Sequence, residues 1–457
     1  MKELNEAPVK AEPKFSLTVS KRQTRLGTLI AFLAWVVAVY DFIMFGTLLP
    51  EIRLEFGWSE AQATGINTAI AVGTGIIVLA IGPIVDRIGR RRGMMATVGG
   101  TAVASALSAM TMNPAFLVGV RSVSGLGMAE QSINTTYLNE VYAVTEDEKI
   151  KKNRGFIYSI VQSGWPVGSL LAAGFIALLL PVAGWRGVFL LAALPAIILL
   201  WMRRSLKETP QYLLLNEARK LKKAGQKAEA DELLARYGLE QNETAPLRTI
   251  FNSRYRRNTF FLSLVWILNF FGVTTFTVLG TTLLTDGKGL PYGISLLVFM
   301  AACAGGFLGY LFFGWLGQRF GRRGVVAAGF MISALAYTAM LFWAHDVPTV
   351  ILFYALGQFF MAGPFSAFMF YMGEVYGADC RATGTSFLNA MAQPGSIIAG
   401  VLITVFLASG VSWITAAFVV GVVGVFLSGV AMLACTPAKE LRGLEPASEP
   451  EVAEVVA

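Results

Sequence analysis

The sequence predicts an all-α membrane protein of twelve transmembrane helices in two six-helix halves, and three observations predict it. The 457-residue chain is 55% hydrophobic and only 14% charged, whereas soluble domains carry about 25% charged residues. Its apolar residues come in long charge-poor stretches, and roughly 20 such residues cross a hydrocarbon core of about 30 Å. Its cations gather on one side of those stretches, and its two halves repeat each other's motifs. Without water to satisfy backbone groups, such stretches must be helical. A transmembrane barrel would instead alternate polar and apolar residues in short segments.

In chain order the first half holds spans 1 to 6 at residues 28–50, 65–85, 93–112, 115–138, 156–180 and 186–202. Spans 7 to 12 follow at 259–285, 292–317, 325–344, 348–372, 384–409 and 412–435. The division is therefore a tail over 1–27, a bundle over 28–202, a polar central loop over 203–257, a second bundle over 258–435 and a tail over 436–457. The tail before span 1 is mixed in charge and too long and polar for a secretory signal. In the central loop, Leu214, Ala218, Leu221 and Ala228 fall on one stripe with Lys and Arg between them, which predicts a surface helix.

Charge sets the orientation. With both termini cytoplasmic, 33 of the 37 Lys and Arg residues lie inside and only Arg53, Arg186 and Lys288 outside, with Arg121 in span 4. That is a positive-inside pattern for a multi-pass protein of the plasma or inner membrane. The net charge of +8 is then a topology device, and no nucleic-acid partner follows from it. Cys303, Cys380 and Cys435 lack metal-ligand spacing and are expected as free thiols. The sole histidine, His345, falls in a short outer loop, so no histidine carries protons within the bundle. No cofactor or metal site and no nucleotide loop is indicated, and a monomer is expected.

The halves echo each other in register. Gly82-Pro-Ile-Val-Asp86-Arg87-Ile-Gly89-Arg90-Arg91 after span 2 matches Gly314-Trp-Leu-Gly-Gln318-Arg319-Phe-Gly321-Arg322-Arg323 after span 8. Tyr137-Leu-Asn-Glu140-Val141-Tyr142 after span 4 matches Tyr371-Met-Gly-Glu374-Val375-Tyr376 after span 10. Such repeats indicate duplication and pseudo-symmetry.

Over residues 28–435 the chain resembles the major facilitator superfamily, whose loop between spans 2 and 3 reads G-x3-D-R-x-G-R-R/K. Gln318 replaces the acid of that motif in the second half. Gly184-Trp185-Arg186-Gly-Val-Phe189 resembles metabolite–proton symporters of organic acids. Glu208-Thr-Pro210-Gln-Tyr212-Leu213-Leu214 resembles the box after span 6 in sugar porters and aromatic-acid symporters. The resemblance implies two halves rocking about a central site, with spans 1, 4, 7 and 10 lining the cavity. It also implies cytoplasmic latches made from Asp86, Arg87, Arg90, Glu140 and Arg154 in the first half and Arg322, Glu374 and Arg381 in the second.

Three ionisable residues lie within spans, where each costs roughly 2.5–3.5 kcal/mol on insertion scales and calls for a role. Asp41 in span 1 is the leading proton carrier, since a carboxylate in a partly dry cavity can exchange a proton. Glu130 in span 4 is the second, facing either the cavity or a neighbouring helix. Arg121 either binds a substrate carboxylate or pairs with an acid. Its nine-residue separation from Glu130, about 13 Å along the axis, argues against a pair between those two. Asn134, Gln162, Asn269, Gln358, Asn389 and Gln393 are candidate substrate contacts or interhelical hydrogen-bonders. Tyr40, Trp165 and Phe365 are candidates for an apolar wall. The expected function is proton-coupled symport of a small organic anion such as a carboxylate. A sugar or polyol symporter is the alternative, and a drug exporter or a non-transporting sensor ranks below.

Overall fold

The computed structural model describes residues 18–236, 247–376 and 380–437. Among the described residues the only β pairing is one bridge between Val19 and Thr145. Span 1 is Lys21–Phe56, opened by Ser20, whose hydroxyl accepts from the Gln23 amide. At 1.5 Å per residue it is about 54 Å long, so its ends stand outside the hydrocarbon. Span 2, Glu60–Ile88, starts on a reciprocal Ser59–Gln62 capping box. Gly89 (φ 102°) turns the chain into span 3, Arg90–Ser108. Gly321 (φ 89°) makes the equivalent turn between span 8, Tyr292–Phe320, and span 9, Arg322–Phe342. Only glycine holds that backbone cheaply, so the duplicated glycine of the motif marks a duplicated turn.

Several spans are not single α-helices. Span 4 is Pro114–Ser124, a 3₁₀ segment Gly125–Ala129, then Glu130–Ala143. Span 5 begins as Arg154–Gln162 and continues into Gly164–Arg203, which also contains span 6 beyond a bend at Gly184 (φ 61°, ψ 175°). Span 7 runs through Arg256–Gly272 and the π segments Val273–Val278 and Leu283–Gly287. Span 10 is Val347–Ala362 and Phe365–Val375, and span 11 is Arg381–Ala390 and Ala392–Ala408. Span 12 is Trp413–Ala416, Ala417–Val422 and Val423–Leu433. By length and hydropathy alone, nine stretches among the described residues qualify as spans. Twelve is consistent with this, because the stretch 156–203 is long enough for two, span 3 carries a polar stripe and span 4 is broken.

The outward faces of these helices are apolar, with Ile76, Leu178, Val182 and Ile198 exposed, as a lipid-covered surface requires. The central segment differs from the single surface helix that its stripe suggests. It forms two helices, Pro210–Lys223 and Lys227–Arg236, broken at Gly225 (φ 84°). Ala218 packs with Ala230 and Leu234 in a small cluster, and Lys222 pairs with Asp231 at 3.1 Å. Ala228 is exposed, because the break rotates it off the stripe. Cys303, Cys380 and Cys435 are buried, and none of them is in a disulfide.

The two halves meet closely at one end of the bundle. There Arg53 of span 1 pairs with Asp286 of span 7 at 2.9 Å. The Tyr292 hydroxyl donates to the Thr47 carbonyl at 2.7 Å, and the Thr281 hydroxyl donates to the same oxygen at 3.1 Å. A Cβ added to Gly46 would fall on the Val278 carbonyl oxygen. At the opposite, basic end, which carries Arg90 and Arg322, the halves separate around a cavity.

Candidate functional site

The cavity has a volume of about 1150 Å³ and takes its walls from both halves. At its basic end stand Arg90, Arg154, Arg322 and Glu374. Further along the spans, Trp165 of the first half and Trp266 and Phe365 of the second line it, and Gln162, Gln358, Asn389 and Gln393 supply carboxamides. The Gln162 side-chain amide donates to the Tyr158 hydroxyl at 2.6 Å. That of Gln358 donates to Thr277 Oγ1 at 2.9 Å and to the Phe276 carbonyl at 3.2 Å, inside the π segment of span 7. Among the described residues the Asn389 side-chain Oδ1 has no hydrogen-bond partner. Such a site offers aromatic faces and neutral donors and acceptors, which suits a flat polar solute.

Other candidates of the sequence reading stand off this wall. Asn134 is buried against span 1, where its amide donates to the Ala31 carbonyl at 3.2 Å. Asn269 is 1% exposed, neither of its side-chain amide atoms has a hydrogen-bond partner among the described residues, and it does not line the cavity. Tyr40 packs edge-on against Phe175. Conversely Trp266, Phe270, Tyr158 and Tyr310 line the cavity without having been singled out. Aromatic residues are so common in these spans that nothing in the sequence separates wall from packing.

The three ionisable residues of the spans are all buried in ion pairs, and none lines the cavity. Asp41 and Arg121 are each 3% exposed. The Arg121 guanidinium donates to Asp41 Oδ2 at 3.2 Å and to the Asp41 carbonyl at 2.7 Å. The hydroxyls of Ser105 and Ser124 also donate to the Asp41 carboxylate. Arg121 therefore meets an acid rather than open cavity, and the rings of Phe45 and Phe189 flank it. Glu130 is wholly buried and faces neighbouring helices. Arg203, at the end of span 6, pairs with it at 2.5 Å, and the Thr97 hydroxyl donates to it. By sequence alone Arg203 falls at the start of the 203–257 loop, because it directly follows the apolar run of span 6.

One signal for these partners was present in the sequence. Thr97, Thr101, Ser105 and Ser108 are spaced 4-4-3 on span 3, a single helical face, and all four are buried. Removing one partner of a buried pair costs about 3–5 kcal/mol, whereas replacing both with apolar groups is often neutral. Arg203→Met alone should therefore lower the thermal unfolding temperature sharply. Adding Glu130→Leu should restore most of the loss, a comparison that thermal unfolding in detergent would decide.

Among the latch candidates, Arg90 pairs with Glu140 at 3.0 Å and lies over the Tyr212 ring. Glu140 also accepts from the Thr209 hydroxyl, which ties it to the box after span 6. Arg322 pairs with Glu374 in the second half, the pseudo-symmetric counterpart of Arg90–Glu140. Arg154 is exposed on the cavity wall. The Arg87 carbonyl accepts from the Tyr212 hydroxyl at 3.0 Å. The side chains of Asp86 and Arg381 lie outside the described part of the structure.

Comparison with known proteins places these features in a family context. Residues 31–312 and 291–455 match the sequence profile of the Major Facilitator Superfamily. A gallate transporter of Pseudomonas putida is 27% identical over 82% of this chain and 83% of its own length. A niacin transporter of Acinetobacter baylyi is 25% identical over 81% of this chain and 84% of its own. A gentisate transporter of Corynebacterium glutamicum is 26% identical over 81% and 78%. The crystal structure of a D-xylose-proton symporter superposes with a TM-score of 0.69 over 91% of this chain and 99% of that one, at 16% identity.

Proposed function

We propose that this chain, which belongs to the Major Facilitator Superfamily and is a transporter rather than an enzyme, carries small single-ring aromatic carboxylates inward together with protons. In this reading the basic end is cytoplasmic, by the positive-inside bias, and the cavity is the inward-open state. The observation that carries the proposal is the relation of cavity to ion pair. The cations on the cavity wall, Arg90, Arg154 and Arg322, stand at its mouth, while a buried Asp41–Arg121 pair lies within the first half. Gallate, niacin and gentisate, the compounds in the relatives' names, are single aromatic rings bearing one carboxyl group. Trp165, Trp266 and Phe365 match the ring, and the carboxamides match its polar edge.

Coupling follows from charge balance. When a proton from the outer side binds Asp41, the pair loses its negative member and Arg121 keeps its charge in a poorly screened interior. A carboxylate in the cavity then offsets that charge, so proton and anion favour each other's binding. When both leave to the cytoplasm, Asp41 and Arg121 close on each other again and the empty carrier returns.

The carboxamide-rich wall, Gln162 above all, favours a sugar or polyol as the second reading, and one experiment separates the two. One proton with one monoanion moves no net charge, so a pH gradient supports about tenfold accumulation per unit and voltage adds nothing. One proton with a neutral sugar also draws on about 2.3 kcal/mol per 100 mV. In proteoliposomes, labelled gallate, niacin and gentisate should accumulate under an acid-outside gradient and ignore an imposed potential, while xylose should not accumulate. Voltage-driven uptake of xylose, or no uptake of any carboxylate, would overturn the proposal.

A further inference from the structure

We infer that Glu130 and Arg203 are positioning residues. They hold the 3₁₀ segment of span 4 in the register that presents Arg121 to Asp41, and through it they link the charge of Asp41 to the cavity wall. The inference rests on the reading of Asp41 as proton carrier.

Span 4 is anchored on both sides of its 3₁₀ segment, Gly125–Ala129. Four residues before it, Arg121 bonds to the side chain and carbonyl of Asp41. Immediately before it, Ser124 donates to the Asp41 carboxylate and its carbonyl accepts from Thr101 at 3.2 Å. Immediately after it, Glu130 is held by Arg203 and Thr97. The hydroxyl stripe of span 3 thus serves both anchors. Thr97 bonds to Glu130 and Ser105 to Asp41, eight residues or about 12 Å apart along that helix. Arg203 also donates to the Met94 carbonyl, tying span 6 to the start of the same helix.

The geometry of the segment gives these anchors mechanical consequence. A 3₁₀ helix rises about 2.0 Å per residue at three residues per turn, against 1.5 Å and 3.6 for an α-helix. Five residues of 3₁₀ therefore add about 2.5 Å and about 100° of rotation between the flanking α segments. The segment after the break carries Gln131, Ser132 and Thr135 on the cavity wall. Relaxing it towards α-helix turns that wall relative to Arg121. Mid-helix 3₁₀ stretches often mark hinges, and here two buried ion pairs hold the stretch from either side. Protonation of Asp41 weakens one anchor, and the strain is carried to the wall because the other holds. Among the described residues the ionisable groups facing Asp41 are Arg121 of span 4 and Tyr40, the residue before Asp41; spans 3 and 4 add the Ser105 and Ser124 hydroxyls.

The test needs no substrate. Ser132→Cys places an exposed thiol on the wall, and the native cysteines are buried. Its labelling by an impermeant maleimide from the basic side is compared in four full-length proteins: the parent, Asp41→Asn, Glu130→Leu with Arg203→Met, and all three substitutions together. The double apolar replacement removes the second anchor without leaving a buried charge unpaired, and Glu130→Gln serves as a second variant if it fails to fold. Asp41→Asn should change the labelling rate at least about fivefold in the parent and leave it unchanged when the second anchor is gone, a coupling of ordinary size. An equal change in both backgrounds, or none in the parent, would overturn the inference. Proton-driven uptake measured on the same proteins reports separately on whether Asp41 carries the proton.

Discussion

Asp41→Asn should abolish proton-driven accumulation while leaving exchange of labelled for unlabelled substrate intact. Asparagine imitates the protonated carboxyl: its oxygen still accepts from Ser105, Ser124 or Arg121, but no proton is loaded or released. Accumulation under a one-unit pH gradient should fall from about tenfold to unity, because the substrate then equilibrates without a coupled ion. Exchange needs only the loaded carrier to rock between its two states, and loading remains possible because the Arg121 charge is still present for an anion to offset. Arg121→Ala gives a different pattern. It leaves a buried carboxylate unpaired, at about 3–5 kcal/mol, and removes the charge that favours the anion, so exchange and accumulation fail together. A purely structural Asp41 would give a third outcome, with lower thermal stability and both activities damaged. Accumulation that survived in Asp41→Asn would refute the assignment. Glu130 would be a poor successor, since Arg203 and Thr97 hold it away from the cavity.

The twelve spans, the duplicated loops and the residues costly in lipid were legible because each depends on local composition or spacing. Which acid meets which base was not, because those pairs join residues 80 and 73 positions apart. Spacing on a helix excludes partners better than it finds them. The nine-residue separation of Arg121 and Glu130 argues against their pairing, and each indeed turns to another helix. Nothing local marks Arg203 as the partner of Glu130, because an arginine ending an apolar run reads as an interfacial anchor. Asn134 and Asn269 show the same limit. A single polar residue in a span gives no face, whereas the four hydroxyls of span 3, about one per turn, do. The 3₁₀ break of span 4 was also hidden: Gly125-Leu-Gly127 weakens an α-helix, but flanking bonds to other spans decide what replaces it.

Gly46→Leu should shift the protein towards the state open at the Arg53 end. Spans 1 and 7 belong to different halves, and they touch where Gly46 lies against the Val278 carbonyl. A leucine there cannot coexist with the Thr281 and Tyr292 hydrogen bonds to Thr47 or with the Arg53–Asp286 pair. The cost falls on one conformation only, because separating the halves at that end relieves it. Overpacking commonly costs about 1–3 kcal/mol, which moves a two-state ratio about 5–150-fold. Gly168→Leu is the contrast. A Cβ there would sit 2.6 Å from the Val36 carbonyl oxygen and 2.9 Å from Val39 Cβ, a contact between spans 1 and 5 of one half that rocking does not relieve, so the fold itself should suffer. The measurement pairs Thr281→Cys, buried in the seal, with Ser132→Cys on the cavity wall. In Gly46→Leu, labelling at 281 from the Arg53 end should rise as labelling at 132 from the basic end falls, with Gly46→Ala smaller in both. Unchanged labelling at both positions in a folded Gly46→Leu protein would mean that the contact is not part of the seal.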